Sequence, residues 1–457
     1  MRVLRRDFVL AALMVCVSLV ALLSIASANL SDVPFTSVTE RNRDAATWSS
    51  LALIAAYVGA LILYFGYSSA AFFFLAIQST FYVPVIFLVD YSDRLDLHFL
   101  SLHLLFFIIL NISMVVFFFS AKASLPEVED RRGDVQTTNL LNILIAASSL
   151  IVTVLYYNAN GGLIFQKLGS AALVADARLT YYATGEYTYA GYANQFKNLL
   201  LPMSFFLILS SFTKETRRVF LLPVLILIFI ATTGTGQRAP LLVAAVSLLM
   251  FFSFYYRYEP SFKVLVGVAT LIIIFGALSV LQGRVESFSV LGSVLELFQR
   301  QFVVNQAANL ETYWFVVDRG HRFGMDWVQD VLSIAPSIKP NELPRELFAL
   351  LWGSNDRGNS PPSLVTSLYF NFWIPGVVIL PVMLAFAVKK LDVRLRKASS
   401  SKTDVMILCF ALMSLAWWTS STILSPLNGG LLTCMLYFFL SRIRLKSSPH
   451  LSDKTSF

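Results

Sequence analysis

The sequence predicts an all-α, polytopic membrane protein with about twelve transmembrane helices. Hydrophobic residues make up 57% of the 457 residues, and the mean hydropathy is +0.69. Soluble domains contain only roughly 45–50% apolar residues. The apolar residues are grouped in blocks of about 20, the length that an α-helix needs to cross a bilayer. Lys and Arg are concentrated in alternate connecting segments, a pattern typical of membrane proteins.

Twelve apolar blocks meet the length criterion and are the predicted spans. In chain order they are Phe8–Ala26, Trp48–Phe65, Ala70–Val89, His98–Ser120, Asn139–Asn158, Phe196–Phe212, Val219–Thr233, Ala239–Tyr256, Lys263–Leu281, Ser363–Val388, Asp404–Thr422 and Pro426–Leu440. The first block ends near Ala26–Ala28, which resembles a signal-peptidase site, but its length favours an uncleaved anchor. An even number of spans places both termini on one side of the membrane.

The distribution of basic residues predicts which side that is. With the N-terminus inside, 21 of the 35 Lys and Arg residues lie in inner segments. Half of the other 14 lie in one long outer loop, and loops of that length are translocated largely regardless of charge. The short loops therefore predict cytoplasmic termini. The same asymmetry accounts for the formal net charge of +8 without any binding of nucleic acid.

Neither the cysteines nor the histidines form a metal-binding pattern. Cys16, Cys409 and Cys434 all lie in predicted spans, where a thiol is usually a small buried hydrophobe. His98 and His103 are five residues apart with no acidic residue between them, which favours packing roles. The outer segments contain no Asp-x-Asp motif, so the sequence predicts no metal and no cofactor.

The first long outer loop, residues 159–195, is rich in glycine and tyrosine. Aromatic rings stack on the C–H faces of sugars while phenol groups bond to hydroxyls, but tyrosines also anchor proteins at any membrane interface. Both interpretations are open. The candidate sugar-binding residues are Tyr181, Tyr182, Tyr187 and Glu186.

The second outer loop, residues 283–362, is too long for a passive connection. The apolar spacing predicts an amphipathic helix over Phe288–Phe302, which would lie along the outer membrane–water interface or pack on the bundle as a lid. Asp326–Ile334 and Arg345–Trp352 are predicted to be short helices separated by prolines. A function at this loop is the expected reason for its length.

An arginine follows a short predicted span. Val219–Thr233 has 15 residues and would measure about 22 Å, less than the roughly 30 Å of the hydrocarbon layer. A glycine-broken helix end and the guanidinium of Arg238 would then lie near the level of lipid phosphates. A guanidinium fork suits phosphate oxygens, so we interpret this segment as a diphosphate site. The alternative is an arginine that merely extends to lipid headgroups.

Three stretches of the chain resemble the Wzy-type O-antigen polymerase family. They are Thr233–Leu241 (TGTGQRAPL), Arg322–Pro340 (RFGMDWVQDVLSIAPSIKP) and Pro362–Gly376 (PSLVTSLYFNFWIPG). The resemblance implies a membrane-embedded glycosyltransferase of the GT-C type. Such an enzyme would join undecaprenyl-diphosphate-linked oligosaccharides, as donor and acceptor, on the outer face of the bacterial inner membrane. It also implies a chain-length regulator and a flippase as partners.

Without a metal, arginines must neutralise the diphosphate leaving group, and a side chain must accept the proton of the attacking hydroxyl. The candidate diphosphate ligands are Arg238, Arg284, Arg319 and Arg322. The candidate proton acceptors are His321, Asp318 and Glu311. His321 is the only histidine of the second outer loop, and an imidazole titrates near neutral pH.

Two other functions remain open. The O-antigen ligases share this architecture and are the nearest alternative. A lipid-linked oligosaccharide flippase or a solute transporter would also need about twelve spans. The predicted spans are almost free of charge and show no paired repeats with broken helices, which favours chemistry at the outer surface.

The topology can be tested with a reporter that is active only outside the cytoplasm. A fusion near Asn305 should be active and a fusion near Arg394 inactive, because the short inner segments carry the excess of Lys and Arg. The reverse pattern of activity would contradict the orientation.

Overall fold

The computed structural model describes residues 43–87, 94–122, 140–159, 190–234, 239–256, 298–299, 302–303, 305–335, 338–339, 341–352, 360–397 and 401–442. Its helices are α1 (Arg43–Phe65), α2 (Ala70–Tyr82), α3 (Arg94–Lys122), α4 (Leu140–Ala159), α5 (Ala190–Gln195), α6 (Leu201–Ser211), α7 (Lys214–Thr233), α8 (Ala239–Tyr255), α9 (Asn305–Val317), α10 (Met325–Leu332), α11 (Leu343–Trp352), α12 (Leu364–Arg396), α13 (Lys402–Ala416) and α14 (Leu432–Arg442). A π-helical turn, Phe196–Leu200, joins α5 to α6, and a second, Leu427–Leu431, precedes α14.

The described residues form an all-helical bundle, in agreement with the sequence prediction. Seven helical segments are long and apolar enough to cross a membrane: Ala46–Phe65, Ala70–Phe87, Leu97–Phe118, Leu140–Ala159, Lys214–Thr233, Leu364–Arg396 and Leu424–Arg442. Ala239–Tyr255 is a shorter apolar helix. The predicted spans Phe8–Ala26 and Lys263–Leu281 lie outside the described residues.

Side-chain contacts define the two ends of the bundle. At one end, Asn142 at the start of α4 lies 3.4 Å from Thr403 at the start of α13 and accepts a 2.7 Å hydrogen bond from Tyr437 near the end of α14. At the other end, Gln78 in α2 donates a 2.7 Å hydrogen bond to the carbonyl of Ala416, where α13 ends. Following the charge distribution, we call these the inner end and the outer end.

Helix α7 begins before the predicted span Val219–Thr233. The helix has 20 residues because the charged turn that begins at Lys214 belongs to it, capped by the hydroxyl of Thr213. At 1.5 Å per residue it measures about 30 Å. Its apolar part is still Val219–Thr233, so the recessed outer end stays a prediction. The helix ends at Thr233, immediately before the predicted glycine turn.

Helix α13 ends at Ala416, six residues before the predicted boundary at Thr422. The polar segment that follows pairs with the start of α12 instead of continuing the helix. The N–H of Leu364 donates a 2.9 Å hydrogen bond to the carbonyl of Thr419, and the N–H of Ser421 donates a 2.8 Å bond to the carbonyl of Pro362. These bonds satisfy backbone groups that a helical turn would otherwise have used.

The second outer loop contains the two short helices expected, α10 and α11, and also α9, which was not predicted. Most of the predicted amphipathic helix lies outside the described residues. Its last part packs on the bundle: the rings of Phe298 and Phe302 stack at 5.6 Å, and Phe302 is buried with Ile54 and Val83. This packing agrees with the lid interpretation for that end of the stretch.

Two features of the helices bear on the argument against a transporter. Helix α12 contains a break, since Trp373 has a left-handed φ of 58°. In addition, Lys197 is fully buried within the predicted span Phe196–Phe212. The structure thus shows one broken helix and one buried lysine, while paired repeats with broken helices and the choice between transport and catalysis stay at the level of prediction.

Candidate functional site

The second outer loop is docked on the outer part of α12 by reciprocal hydrogen bonds. The backbone N–H of Asp326 donates to Oδ1 of Asn371 at 3.3 Å, while Nδ2 of Asn371 donates to the Asp326 carboxylate at 3.4 Å. The N–H of Arg322 donates to the carbonyl of Phe370 at 3.0 Å. Two of the three stretches that suggested a family, distant in sequence, are thus in direct contact.

The sequence around Trp373 explains the break in α12. Pro375 has no N–H and cannot bond to the carbonyl of Asn371, and a proline also disfavours helical backbone in the residue before it. Gly376 is required at the next position, because a Cβ there would lie 2.7 Å from the Cβ of Phe372. As a result, the rings of Phe372 and Trp373 are turned outward and are 41% and 57% exposed.

Below the docked loop lies an apolar cavity of about 680 Å³, which we call the lateral groove. It is lined by His321, Phe323, Trp327, Leu368, Asn371, Phe372, Trp373, Pro375, Gly376, Ile379, Leu380 and Met383. Almost all of the lining is aromatic or aliphatic, and the polar groups, His321 and Asn371, come from the docking contact. Cavities of this size and chemistry accommodate elongated apolar ligands with a polar head.

His321 lies at the polar end of the lateral groove. Its Nδ1 is 3.2 Å from the carbonyl oxygen of Tyr369, and a carbonyl can only accept, so Nδ1 carries the hydrogen. In the neutral ring Nε2 is then a proton acceptor. The ring is held edge-on between Trp373 and Tyr369, with centroid distances of 4.6 and 5.3 Å. Its orientation is therefore determined by packing as well as by the hydrogen bond.

The aromatic contacts continue from Tyr369 to a histidine that the sequence analysis treated only as a packing residue. The ring of His98 is 5.0 Å from that of Tyr369, and its Nδ1 is hydrogen-bonded to the hydroxyl of Tyr313 in α9. Burial raises the pKa of Tyr313, so its phenol remains protonated. His103, by contrast, is buried and lies 3.1 Å from the hydroxyl of Ser363, as its predicted packing role expects.

The two described arginine candidates occupy different environments. The Arg322 side chain is 53% exposed and lies beside the groove, with Nε 3.4 Å from the Asp326 carboxylate. Arg319 forms an ion pair with Glu346 and lies over the ring of Phe315 at 4.0 Å. Arg322 is therefore the better placed of the two to meet an anion at the groove.

The two acidic candidates lie apart from the groove lining. Asp318 is exposed at the end of α9. Glu311 is half-buried in the same helix, and burial raises the pKa of its carboxyl. The other candidates lie outside the described residues: Arg238, Arg284, Tyr181, Tyr182, Tyr187 and Glu186. Within the described ranges, no three His, Cys, Asp or Glu residues are grouped as a metal site.

Helix α10 has an inverted amphipathic pattern. Its carboxylates face the bundle: Asp326 and Asp330 are only 2% and 4% exposed, and Asp330 accepts hydrogen bonds from the hydroxyl of Thr422 and the N–H of Asn341. Its apolar side faces outward, through Met325, Val328, Val331 and Leu332. The outward apolar side adjoins the lateral groove through Phe323 and Trp327.

The helices define a polytopic membrane protein, and the lateral groove under the second outer loop is its candidate site. Residues 12–352 match the family model described as O-antigen polysaccharide polymerase Wzy. The chain belongs to this family, which makes it a polymerase of polysaccharide biosynthesis acting on lipid-linked oligosaccharide repeat units. The match contains two of the three stretches noted in the sequence, and Pro362–Gly376 lies beyond it. No curated protein and no solved structure matches the chain.

The pKa of Glu311 leads to a prediction about stability. Because burial raises the folded-state pKa above the unfolded value of about 4.3, the folded state binds more protons between these two values. The stability of the wild type should therefore fall as the pH rises through this interval. Glu311→Gln should remove that part of the fall and give a higher melting temperature at neutral pH. Thermal unfolding in detergent from about pH 4 to 8 measures both effects.

Glu342→Gln, at an exposed position of the same loop, is the matched control and should retain the wild-type pH dependence. Equal slopes for the wild type and the Glu311 variant would contradict the assignment.

Proposed function

We propose that this protein joins undecaprenyl-diphosphate-linked oligosaccharide repeat units on the outer face of the bacterial inner membrane, in O-antigen, capsule or exopolysaccharide biosynthesis. The observation that carries this proposal is the lateral groove, an apolar cavity with His321 at its polar end and Arg322 beside it. A polyprenyl chain suits the apolar lining, and a diphosphate suits a guanidinium.

The exposed apolar side of α10 supports access from the membrane. Four apolar side chains of this helix are exposed while its two carboxylates are buried, the reverse of what a water-facing helix shows. An interfacial helix places such a side among lipid chains. In our proposal α10 lies in the outer interface, and the lipid carrier enters the groove between α10 and the break in α12.

The proposed reaction is the attack of a sugar hydroxyl of one repeat unit on the anomeric carbon of the lipid-linked chain. A new C–O bond forms as the bond to the diphosphate breaks, and the lipid diphosphate leaves with the electron pair. Nε2 of His321 accepts the proton of the hydroxyl, since Nδ1–H is held by the Tyr369 carbonyl. Arg322, assisted by Arg238, Arg284 and Arg319, stabilises the diphosphate charge. Asp318 and Glu311 are the alternative proton acceptors.

Several finer points rest on the sequence and on the family resemblance. The chain is a single integral membrane domain of twelve spans with a GT-C-like arrangement, cytoplasmic termini and outer loops at residues 159–195 and 283–362. Sugar binding is assigned to the first loop, through Tyr181, Tyr182, Tyr187 and Glu186. The reaction proceeds without a metal or another cofactor. A chain-length regulator and a flippase are the proposed protein partners.

A deletion strain separates the polymerase from its nearest alternative. If the protein is a polymerase, deletion should leave single repeat units attached to their final acceptor, visible as one short band on a polysaccharide gel. Full-length chains that remain unattached would indicate a ligase instead. Repeat units that accumulate on the inner leaflet would indicate a flippase.

His321→Asn tests the proton transfer. The amide N–H₂ of asparagine can still donate to the Tyr369 carbonyl, but the variant lacks Nε2, so the loop is retained without its base. Turnover of a purified lipid-linked repeat unit should fall by about 10²–10⁴-fold, and its pH dependence near neutrality should change.

Arg322→Lys retains the charge and should weaken substrate binding at every pH, because an ammonium cannot form the bidentate contact.

These assays are run with chelator present and with protein amounts matched. An unaltered pH profile in His321→Asn would reduce that residue to a structural role. A reaction that stops on addition of chelator would contradict metal independence.

A further inference from the structure

Lys197 is a buried cation that the proposed mechanism does not use. Its side chain is 0% exposed, in the π-helical turn between α5 and α6. The ammonium donates one hydrogen bond, 3.0 Å long, to Oδ1 of Asn198, and lies 5.5 Å from the centre of the Tyr156 ring. Among the described residues, no carboxylate forms an ion pair with it. Burial of an ammonium without an anion is strongly unfavourable, so an anionic partner is expected.

A second unsatisfied group lies one helical turn before the lysine. Oδ1 of Asn194 is buried and has no hydrogen-bond partner among the residues that the structure describes. Residues three apart lie on the same side of a regular helix, and on this ground we assign the acceptor and the ammonium to one site. Gln195 anchors the turn between them, because it donates to the Asn428 carbonyl and accepts from the Thr433 hydroxyl. A ligand that satisfies both groups must carry an anionic oxygen together with a hydroxyl or another donor.

The π-helical turn Phe196–Leu200 directs the lysine side chain into the bundle. A π turn inserts one extra residue, which rotates the following side chains by about 100° around the helix axis. The facing helix carries the second π turn, and the two meet at Gly430. A Cβ on Gly430 would lie 2.6 Å from Leu199, which follows Lys197 by two residues. π turns of this kind occur frequently at functional sites.

The position of this site at the outer end also points to a phosphate ligand. Tyr156 and Tyr157 end α4, and the hydroxyl of Tyr157 donates a 2.8 Å hydrogen bond to the carbonyl of Ala231 in the last turn of α7. That turn directly precedes the segment of Arg238. The start of α5 is also tied to the second outer loop, since the Tyr192 hydroxyl donates to the carbonyl of Ile334 at 3.1 Å.

We propose that Lys197 and Asn194 form an anion site for the phosphate of a lipid-linked sugar, with the ammonium on a phosphate oxygen and Asn194 Oδ1 accepting from a sugar hydroxyl. The chemistry of the ligand rests on the proposed function. The site is separate from the lateral groove, so the protein has a position for each of two phosphorylated lipids.

Binding of farnesyl diphosphate to the purified full chain in phosphate-free detergent solution tests the proposal. All proteins carry Arg322→Gln, so that the groove contributes little. Lys197→Met and Lys197→Gln should weaken the apparent Kd by at least about tenfold, since a hydrogen-bonded charge is lost. Without ligand, Lys197→Met should melt at or above the temperature of its parent, because it removes an unpaired buried charge.

Lys389→Met is the matched control. Its ammonium also lies over an aromatic ring, 4.6 Å from the centre of Phe118, but at the inner end of the bundle. This variant should bind farnesyl diphosphate like its parent.

Unchanged binding in both Lys197 variants would overturn the proposal. So would the failure of both neutral variants to fold, which would make the ammonium part of the fold. Saturation by phosphatidylglycerol, or by inorganic diphosphate, without a response to farnesyl diphosphate would assign the site to bulk lipid or to a free anion. Binding that depends on Lys197, found together with a wild-type protein that makes no polymer from a lipid-linked repeat unit, would contradict the proposed function and leave this site standing.

Discussion

Backbone groups inside a bilayer have no water to bond to, and this constraint governs how the outer end of the bundle is built. Helices α12 and α13 both depart from regular helix there, which is tolerable only where the protein itself supplies partners. The N–H groups of Leu364 and Ser421 bond across to the carbonyls of Thr419 and Pro362. The second outer loop packs against this pair of segments, the start of α12 and the residues that follow α13.

Polar atoms that point toward the bundle hold the second outer loop against these two segments. Asp326 bonds with Asn371, and Asp330 bonds with Thr422, each within a buried setting. A single hydrogen bond of this kind contributes only about 0.5–1.5 kcal/mol net, but loss of one partner leaves a buried carboxylate uncompensated. These hydrogen bonds therefore allow the second outer loop to pack on α12 in only one alignment. It also turns the apolar side of α10 outward, next to the lateral groove.

Two of the cationic residues at the outer end, Arg322 and Lys197, differ in physical character. Arg322 is half-exposed and can gain or lose an anion with little reorganisation. Lys197 is fully buried, so the state of its partner has a larger effect on the energy of the fold. In the proposed reaction two lipid-linked chains are held at once. Two anion positions of unequal exposure suit that requirement.

The sequence alone was sufficient for the features that depend on local composition and period. It predicted an all-helical membrane bundle, the alternation of its spans, and α10 and α11, because the lengths of apolar runs and the positions of prolines act within about 20 residues. The family followed from short motifs and is confirmed over residues 12–352. Among the described candidates, His321 and Arg322 lie at the groove, while Arg319 is paired elsewhere.

Only the tertiary structure decided which distant residues meet. The pairing of Asp326 with Asn371, 45 residues apart, creates the groove, and nothing in the local pattern of either residue specifies the other. His98 is hydrogen-bonded to Tyr313, which lies 215 residues further along the chain. The spacing of His98 in the sequence predicts only a packing role, because it gives no sign of this partner. Lys197 was placed in a span by hydropathy, but its burial without an acid depends on a π turn that hydropathy cannot detect. Burial of apolar surface is non-directional, so the composition of a segment is enough to predict it. A hydrogen bond is directional, and its partner depends on which distant segment of the chain packs nearby in the folded structure.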